Sequence, residues 1–204
     1  MPSSTWGASS RPAHPVFSDD GAFLVKVLLH VCCGPCLLHP YALLTGRGHD
    51  VVAFYYNPNI HPSREYRMRL ETLRGYCETR GVELREGPYE METFLAAIAG
   101  DISDRCSTCF NIRLSRAAAE ARKLGARAFT TTLLVSPYQD RDKIRQAGES
   151  AALEHGVPFL FEDMTAGYRA SVNESRGLGM YRQGYCGCVY SEKERYEDKG
   201  PSRR

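Results

Sequence analysis

Eight cysteines occur in 204 residues, and seven of them fall into three tight groups. Cys32, Cys33 and Cys36 lie within His30-Val31-Cys32-Cys33-Gly34-Pro35-Cys36. Cys106 and Cys109 form a CxxC pair, and Cys186 and Cys188 form a CxC pair around Gly187. Thiolates are nucleophiles, electron donors and soft-metal ligands. Apolar packing, the usual role of a lone free cysteine, does not account for such grouping. A cubane iron–sulfur cluster commonly takes four thiolates. Two close pairs, Cys32 with Cys33 and Cys106 with Cys109, supply that number from separate elements. Zinc competes for the same residues, because CxxC is a usual zinc ligand pair. Spacing leaves cluster and zinc both open, and leaves open whether Cys36 is a ligand.

Cys186 and Cys188 suggest different chemistry. A disulfide across one residue departs from relaxed geometry and is easily reduced. Gly187 is the residue type best able to accept the backbone this needs. The pair reads as a redox-active dithiol, with two further metal ligands as the other reading. Cys33-Gly34-Pro35-Cys36 also matches the spacing of thioredoxin-like disulfide oxidoreductases. The extra Cys32, the four other paired cysteines and the chain length weigh against that.

The elements around these groups define their positions. Lys26 to Val31 reads as a buried strand that delivers Cys32 and Cys33 to its carboxyl end, followed by a Gly34-Pro35 turn and a helix from Leu37 to Gly46. Val51 to Tyr56 is a second strand, ending in Asn57-Pro58-Asn59-Ile60-His61-Pro62. A helix over residues 63–80 carries Tyr66, Leu70, Leu73 and Cys77 on one face, so Cys77 belongs to the core. Val82 to Leu84 is a short strand and Met91 to Ala99 a short helix. Cys106 and Cys109 precede or open a helix whose buried face is Phe110, Leu114, Ala117, Ala121 and Leu124. Ala128 to Leu134 is a strand, residues 140–155 a helix, and Val157 to Phe161 a last strand. Alternating strands and helices imply an α/β fold: a single-domain parallel sheet with helices on both faces, of Rossmann type. Ligands in such folds sit beyond the carboxyl ends of the strands, where helix N-termini favour thiolates and anions. Residues 1–22 read as a disordered extension, 23–191 as the catalytic domain and 192–204 as a charged flexible tail.

A formal net charge of +2 neither demands nor excludes a nucleic-acid partner. Arg64, Arg67, Arg69, Arg74, Arg80 and Arg85 crowd one region, interleaved with Glu65, Glu71, Glu78 and Glu83. Such a stretch is either a solvated ion-paired face or a phosphate-binding one. No apolar run reaches the length of a membrane span and no secretory signal is visible, so the expected compartment is the cytoplasm, with reduced thiols. PP-loop folds carry a Gly- and Ser-rich phosphate loop after the first strand. Cysteines stand in that place here, which disfavours ATP.

Several motifs together resemble the cobalamin-independent epoxyqueuosine reductase family of queuosine biosynthesis. They are Leu29-His30-Val31-Cys32-Cys33-Gly34-Pro35-Cys36, Tyr55-Tyr56-Asn57-Pro58-Asn59-Ile60-His61-Pro62 with Glu65-Tyr66, and Cys106-x-x-Cys109. Thr131-Thr132-Leu133-Leu134-Val135-Ser136-Pro137-Tyr138 and Tyr181-Arg182-Gln183-Gly184-Tyr185-Cys186-Gly187-Cys188 continue the match. The resemblance implies a HUP-type α/β fold and a two-electron deoxygenation of an epoxide on the tRNA wobble base, yielding queuosine. It implies an iron–sulfur cluster, for which Cys32, Cys33, Cys106 and Cys109 are the candidate 4Fe-4S ligands named above, with room for an additional iron and no cobalamin. Catalysis then falls to Cys186 and Cys188, fed by an electron donor of unknown identity, with Tyr185, Asp163 or His61 as proton donor. Tyr55, Tyr56 and Tyr138 are candidates for stacking on an anticodon-loop base, and Asn57 and Asn59 for bonding base edges. A non-catalytic zinc-binding RNA module is the alternative of a different class.

Overall fold

A computed structural model describes residues 25–197. The extension expected over residues 1–22 and the end of the expected tail lie outside the described residues. Four parallel strands, β1 (Lys26–His30), β2 (Asp50–Tyr55), β3 (Leu84–Glu86) and β4 (Ala128–Thr131), form one sheet in the order β3-β2-β1-β4. Seven α-helices are described: α1 (Gly34–Gly46), α2 (Ser63–Arg80), α3 (Met91–Ile98), α4 (Arg105–Lys123), α5 (Arg141–His155), α6 (Tyr168–Gly177) and α7 (Val189–Tyr196).

Alternation along the strands builds both layers. Leu28 and Phe54 pack with Phe110, Leu114 and Ala117 of α4 and Ile144 and Ala147 of α5. Their neighbours Val27, Leu29, Val51, Ala53 and Tyr55 pack on the other face with Leu37 and Leu44 of α1 and Leu70, Leu73 and Cys77 of α2. The expected α/β sheet with helices on both faces is thus observed, and Cys77 is a core residue.

Several boundaries differ from expectation for local reasons. Gly34 and Pro35 are not a turn but the first residues of α1, with Cys33 at the N-cap; proline suits a first helical turn, whose N–H groups lack partners anyway. Gly34 serves close approach: a β-carbon there would stand 3.0 Å from the Met180 side chain and 3.1 Å from that of Thr72. β3 starts at Leu84 because the Val82 N–H closes the end of α2 on the Cys77 carbonyl. β4 stops at Thr131, whose hydroxyl oxygen accepts the Leu133 N–H and turns Thr132–Val135 into a 3-10 helix. The strand expected at residues 157–161 is reduced to a single bridge, Phe129 with Phe159, beside Pro158, which has no N–H to donate. α7 continues through Tyr196, within the segment expected as a flexible tail.

β1 is central, and the chain leaves it to β2 on one side and reaches β4 on the other. Beyond the carboxyl ends of β1 and β4 lies the crevice where such sheets bind ligands. Cys32 and Thr132 stand there.

The core around β4 sets stability. Phe129 is fully buried, 5.1 Å from the ring of Phe159. Phe129→Ala should cost about 3–5 kcal/mol in chemical denaturation. Leu153→Ala, at a position 85% exposed, should stay within about 0.5 kcal/mol.

Candidate active site

His30 ties three strand ends together. Its Nε2 lies 3.1 Å from the Tyr56 carbonyl and its Nδ1 2.8 Å from the Thr131 hydroxyl. A carbonyl only accepts, so Nε2 carries the hydrogen and Nδ1 accepts from Thr131. Burial, reinforced by the nearby Arg113 charge, lowers the His30 pKa to about 3, so the ring is neutral at physiological pH. This clamp sets the next residues. The Cys32 N–H donates to the Thr132 hydroxyl oxygen (3.2 Å), which itself lies 3.5 Å from the Cys32 sulfur.

Cys32, Cys33 and Cys36 come together where β1 runs into α1, their sulfurs all within 4.8 Å of one another. The Cys32 and Cys33 sulfurs are 3.8 Å apart. Two thiolates on one tetrahedral ion, each bonded at about 2.3 Å, stand about 3.8 Å apart. Hydrogen bonding with Cys33 and Cys36 holds the Cys32 thiol well below its ordinary pKa; Arg113 and Thr132 act in the same direction against burial. Burial and the adjacent Cys32 push Cys33 up. Gln183 donates its side-chain N–H to Cys33 (3.0 Å) and to Cys36 (3.6 Å).

Cys106 and Cys109 lie in the first two turns of α4. Burial is the main cause that pushes both thiols up, and Cys186 and Cys188 lie near enough to act in the same direction. Cys109 and Cys188 pack in one small cluster with Phe94 and Ile98. Cys36 thus joins Cys32 and Cys33 in one tight group, which Cys106 and Cys109 do not enter. Burial pushes the Cys109 thiol up to about 12, with Arg113 opposing.

Arg113 stands between the two groups. It is buried on α4, one helical turn after Cys109, and forms no ion pair with any carboxylate among the described residues. Its guanidinium donates to the Asn57 side-chain oxygen (2.8 Å) and toward the Cys109 sulfur (3.7 Å), and Nε has no partner. Its charge acts on Cys109, Cys32 and Cys186. A buried cation of this kind needs an anion, and sulfur is the donor set around it. The surroundings fit an anionic thiolate–metal group.

The segment from Tyr181 to Cys188 folds back over this site. Arg69, paired with Glu65 at 2.7 Å, donates to the carbonyls of Cys186 (2.8 Å) and Tyr185 (3.1 Å). The His61 N–H donates to the Gly187 carbonyl (2.8 Å), and the Tyr185 hydroxyl donates to the His61 carbonyl. Gly187 has φ of 149°, a conformation that side-chain-bearing residues rarely adopt. A cavity of about 590 Å³ remains, lined by Cys32, Cys36, Arg113, Thr132, Gln139 and Cys186, with Tyr138, Tyr168 and Arg182 toward the same space. Gln139 lies 3.6 Å from the Cys186 sulfur.

Several expected residues have other places. Asp163 does not line the cavity; it bonds Arg141 (2.8 Å) and the Thr165 N–H (2.9 Å). His61 is buried with its ring 5.5 Å from Phe94 and is also outside the cavity lining. Tyr185 does line the cavity. Of the stacking candidates, Tyr55 and Tyr56 are core residues and only Tyr138 is exposed. Asn57 is a buried strut between Arg113 and the Val31 carbonyl, and Asn59 is also buried. Within the arginine-rich stretch, Arg69 is buried and Arg74 and Arg85 are paired with Glu86 and Glu83, an ion-paired face for those positions.

The model of the epoxyqueuosine reductase QueH family matches residues 27–194. The chain belongs to that family. Its similarity to curated relatives of that name covers most of the chain. The Dehalococcoides mccartyi protein is 38% identical over 172 residues, covering 84% of this chain and 94% of the relative. The Thermotoga maritima protein is 39% identical over 181 residues, covering 84% and 92%. The Helicobacter pylori protein is 38% identical over 190 residues, covering 86% of this chain but 52% of the relative. QueH proteins are oxidoreductases by name, which displaces the non-catalytic zinc module. Family membership likewise displaces the thioredoxin-like reading. Two solved structures share the fold. The U34-tRNA thiolase NcsA of Methanococcus maripaludis, solved with its 4Fe-4S cluster, superposes with TM-score 0.58 and 17% identity, over 85% of this chain and 64% of that one. A predicted tRNA methyltransferase subunit from Methanocaldococcus jannaschii does so with TM-score 0.52 and 13% identity, over 75% of each chain. The fold is thus of the Rossmann-like type expected. Among the described residues, no helix is long and apolar enough to cross a membrane.

Arg113→Met should act in opposite directions on loaded and stripped protein. It removes a charge that faces thiolates, worth on the order of 2–4 kcal/mol, so iron should be lost to a chelator at ten-fold or more lower chelator concentration. The chelator-stripped variant should melt no lower than stripped wild type, because an unpaired buried charge is gone. Arg113→Lys, which keeps charge without the planar fork, should fall between. Unchanged iron retention in Arg113→Met would contradict the role given to this residue.

Proposed function

We propose that this chain reduces the epoxide of epoxyqueuosine at the wobble position of tRNA, giving queuosine. The reading rests on family membership, and one structural observation supports the site: a single cavity is lined at once by Cys32 and Cys36 at the start of α1 and by Cys186 of the CxC pair. We assign a 4Fe-4S cluster to Cys32, Cys33, Cys106 and Cys109, one thiolate to each iron, which requires the Cys32 and Cys33 side chains to turn apart from their 3.8 Å separation. Cys36, beside the first pair, is the ligand available to an additional iron. When bound, such a group supplies electron transfer and a Lewis-acidic iron.

The other tasks belong to the chain's own residues. Arg113 and Thr132 lower the charge penalty at the Cys32 thiolate. Arg69 holds the backbone of Tyr185 and Cys186 at the cavity wall. Cys186 and Cys188 form the dithiol reductant. Both epoxide C–O bonds break, a carbon–carbon double bond forms, and the oxygen leaves as water. The dithiol becomes a disulfide, so two electrons and two protons are accounted for, and an external reductant restores the thiols. Tyr185 is the remaining cavity-lining candidate for relaying one of these protons to the oxygen, once its hydroxyl leaves the His61 carbonyl. The wobble base enters the cavity, and the rest of the anticodon loop stays outside.

Anaerobic reconstitution of variants tests these roles separately. Cys188→Ser should keep iron, sulfide and visible absorption near wild type while abolishing turnover of epoxyqueuosine-containing tRNA, read by nucleoside analysis. Cys106→Ser and Cys109→Ser should lose iron and sulfide together. Loss of the cluster in Cys188→Ser would make Cys188 a ligand; full activity would remove the CxC pair from the mechanism.

A further inference from the structure

Helix α6 has a buried face and an outward face of different character. Ser171 and Ser175, four residues apart, are buried, and the Ser171 hydroxyl accepts the His39 N–H of α1 at 3.3 Å. Arg169, Asn173 and Arg176 follow spacings of four and three, which places them on one helical face. Both arginines are exposed. With Arg182 they line a shallow groove of about 340 Å³. None of the three forms an ion pair among the described residues, in contrast to Arg47, Arg74, Arg105 and Arg141, which do. Glu174, the acidic residue of α6, acts on Tyr76 of α2 and does not line the groove.

The groove adjoins the active-site cavity, and Tyr168 and Arg182 line both. At the junction Tyr138, 81% exposed, meets Tyr168 edge to face with ring centroids 5.8 Å apart. An exposed aromatic ring next to three uncompensated guanidinium groups is the composition that takes single-stranded nucleic acid: bases stack on the ring and phosphates follow the charge. A base in the cavity leaves its backbone at the mouth, so the adjoining phosphates must pass over one edge.

We propose that the strand flanking the inserted base crosses the Tyr138–Tyr168 edge and lays its phosphates along Arg169, Arg176 and Arg182. This rests on the RNA-substrate reading above and adds where the RNA runs. It gives α6, which carries no cysteine, the task of holding substrate in register.

The test is fluorescence anisotropy with a labelled anticodon stem–loop RNA, titrated into the full chain at several salt concentrations. Arg169→Glu with Arg176→Glu should weaken binding at least about ten-fold near physiological salt, and the salt slope should become shallower by about 0.7 for each phosphate that is no longer neutralised. Arg169→Gln with Arg176→Gln should give the same slope change with a smaller affinity loss. Tyr138→Ala should weaken binding several-fold without changing the slope. Arg64→Glu with Arg67→Glu, an equal charge change at exposed α2 positions outside both cavities, should leave the slope unchanged. Wild-type slope and affinity in the α6 variants, or an equal loss in the α2 control, would overturn the placement while leaving the substrate reading intact. No binding by wild type would overturn both.

Discussion

A guanidinium cannot shed its charge in a protein interior, and that of Arg113 is buried with no carboxylate paired to it among the described residues. It donates to Asn57 and toward the Cys109 sulfur, and its charge acts on Cys32 and Cys186. Elsewhere the chain meets the same problem with carboxylate: buried Arg69 has Glu65 at 2.7 Å. The difference sets the character of the site. Around Arg69 charge is balanced within the protein and the residue works as a bracket for the backbone of Tyr185 and Cys186. Around Arg113 balance depends on thiolates or on what thiolates hold.

That dependence explains why so much structure converges on one crevice. β1 and β4 end together because His30 bonds both Thr131 and the chain after β2. The clamp brings Thr132 against Cys32, and Asn57 then links the same crevice to Arg113. α4 delivers Cys109 and Arg113 on one face, a turn apart. The closing loop adds Cys186 from the last part of the chain, held by Arg69 and by the backbone of His61. Each attachment comes from a different element, so Cys32, Cys109 and Cys186 are brought to Arg113 only when the whole sheet is formed.

Much of this was legible in the sequence. β-branched and aliphatic runs ending in cysteine located β1, and the 3.6-residue period of Tyr66, Leu70, Leu73 and Cys77 located α2. Boundaries failed where a single side chain or missing N–H decided them: the Thr131 hydroxyl ended β4 early, and Pro158 reduced a strand to one bridge. Buried apolar residues such as Leu133 and Leu134 carry no period that separates strand from 3-10 helix. Arg113 escaped notice although a signal existed, since it lies on the apolar face shared by Cys109, Phe110, Leu114 and Ala117, where a charge is out of place. Gln139 and Gln183 gave no signal, because an amide that donates to sulfur looks like any surface amide until the fold is known. The grouping of Cys36 with Cys32 and Cys33, one helical turn apart at the start of α1, follows from the helix beginning at Gly34 and not beyond a Gly-Pro turn.

The central claim is that the thiols on either side of Arg113 jointly hold an iron–sulfur cluster. Anaerobic purification followed by quantitative iron, zinc and acid-labile sulfide analysis measures this most directly. The account predicts about four iron and four sulfide per chain, with iron above that only if an additional site is filled. Stoichiometric zinc without sulfide, retained after anaerobic reconstitution with iron and sulfide, would contradict it.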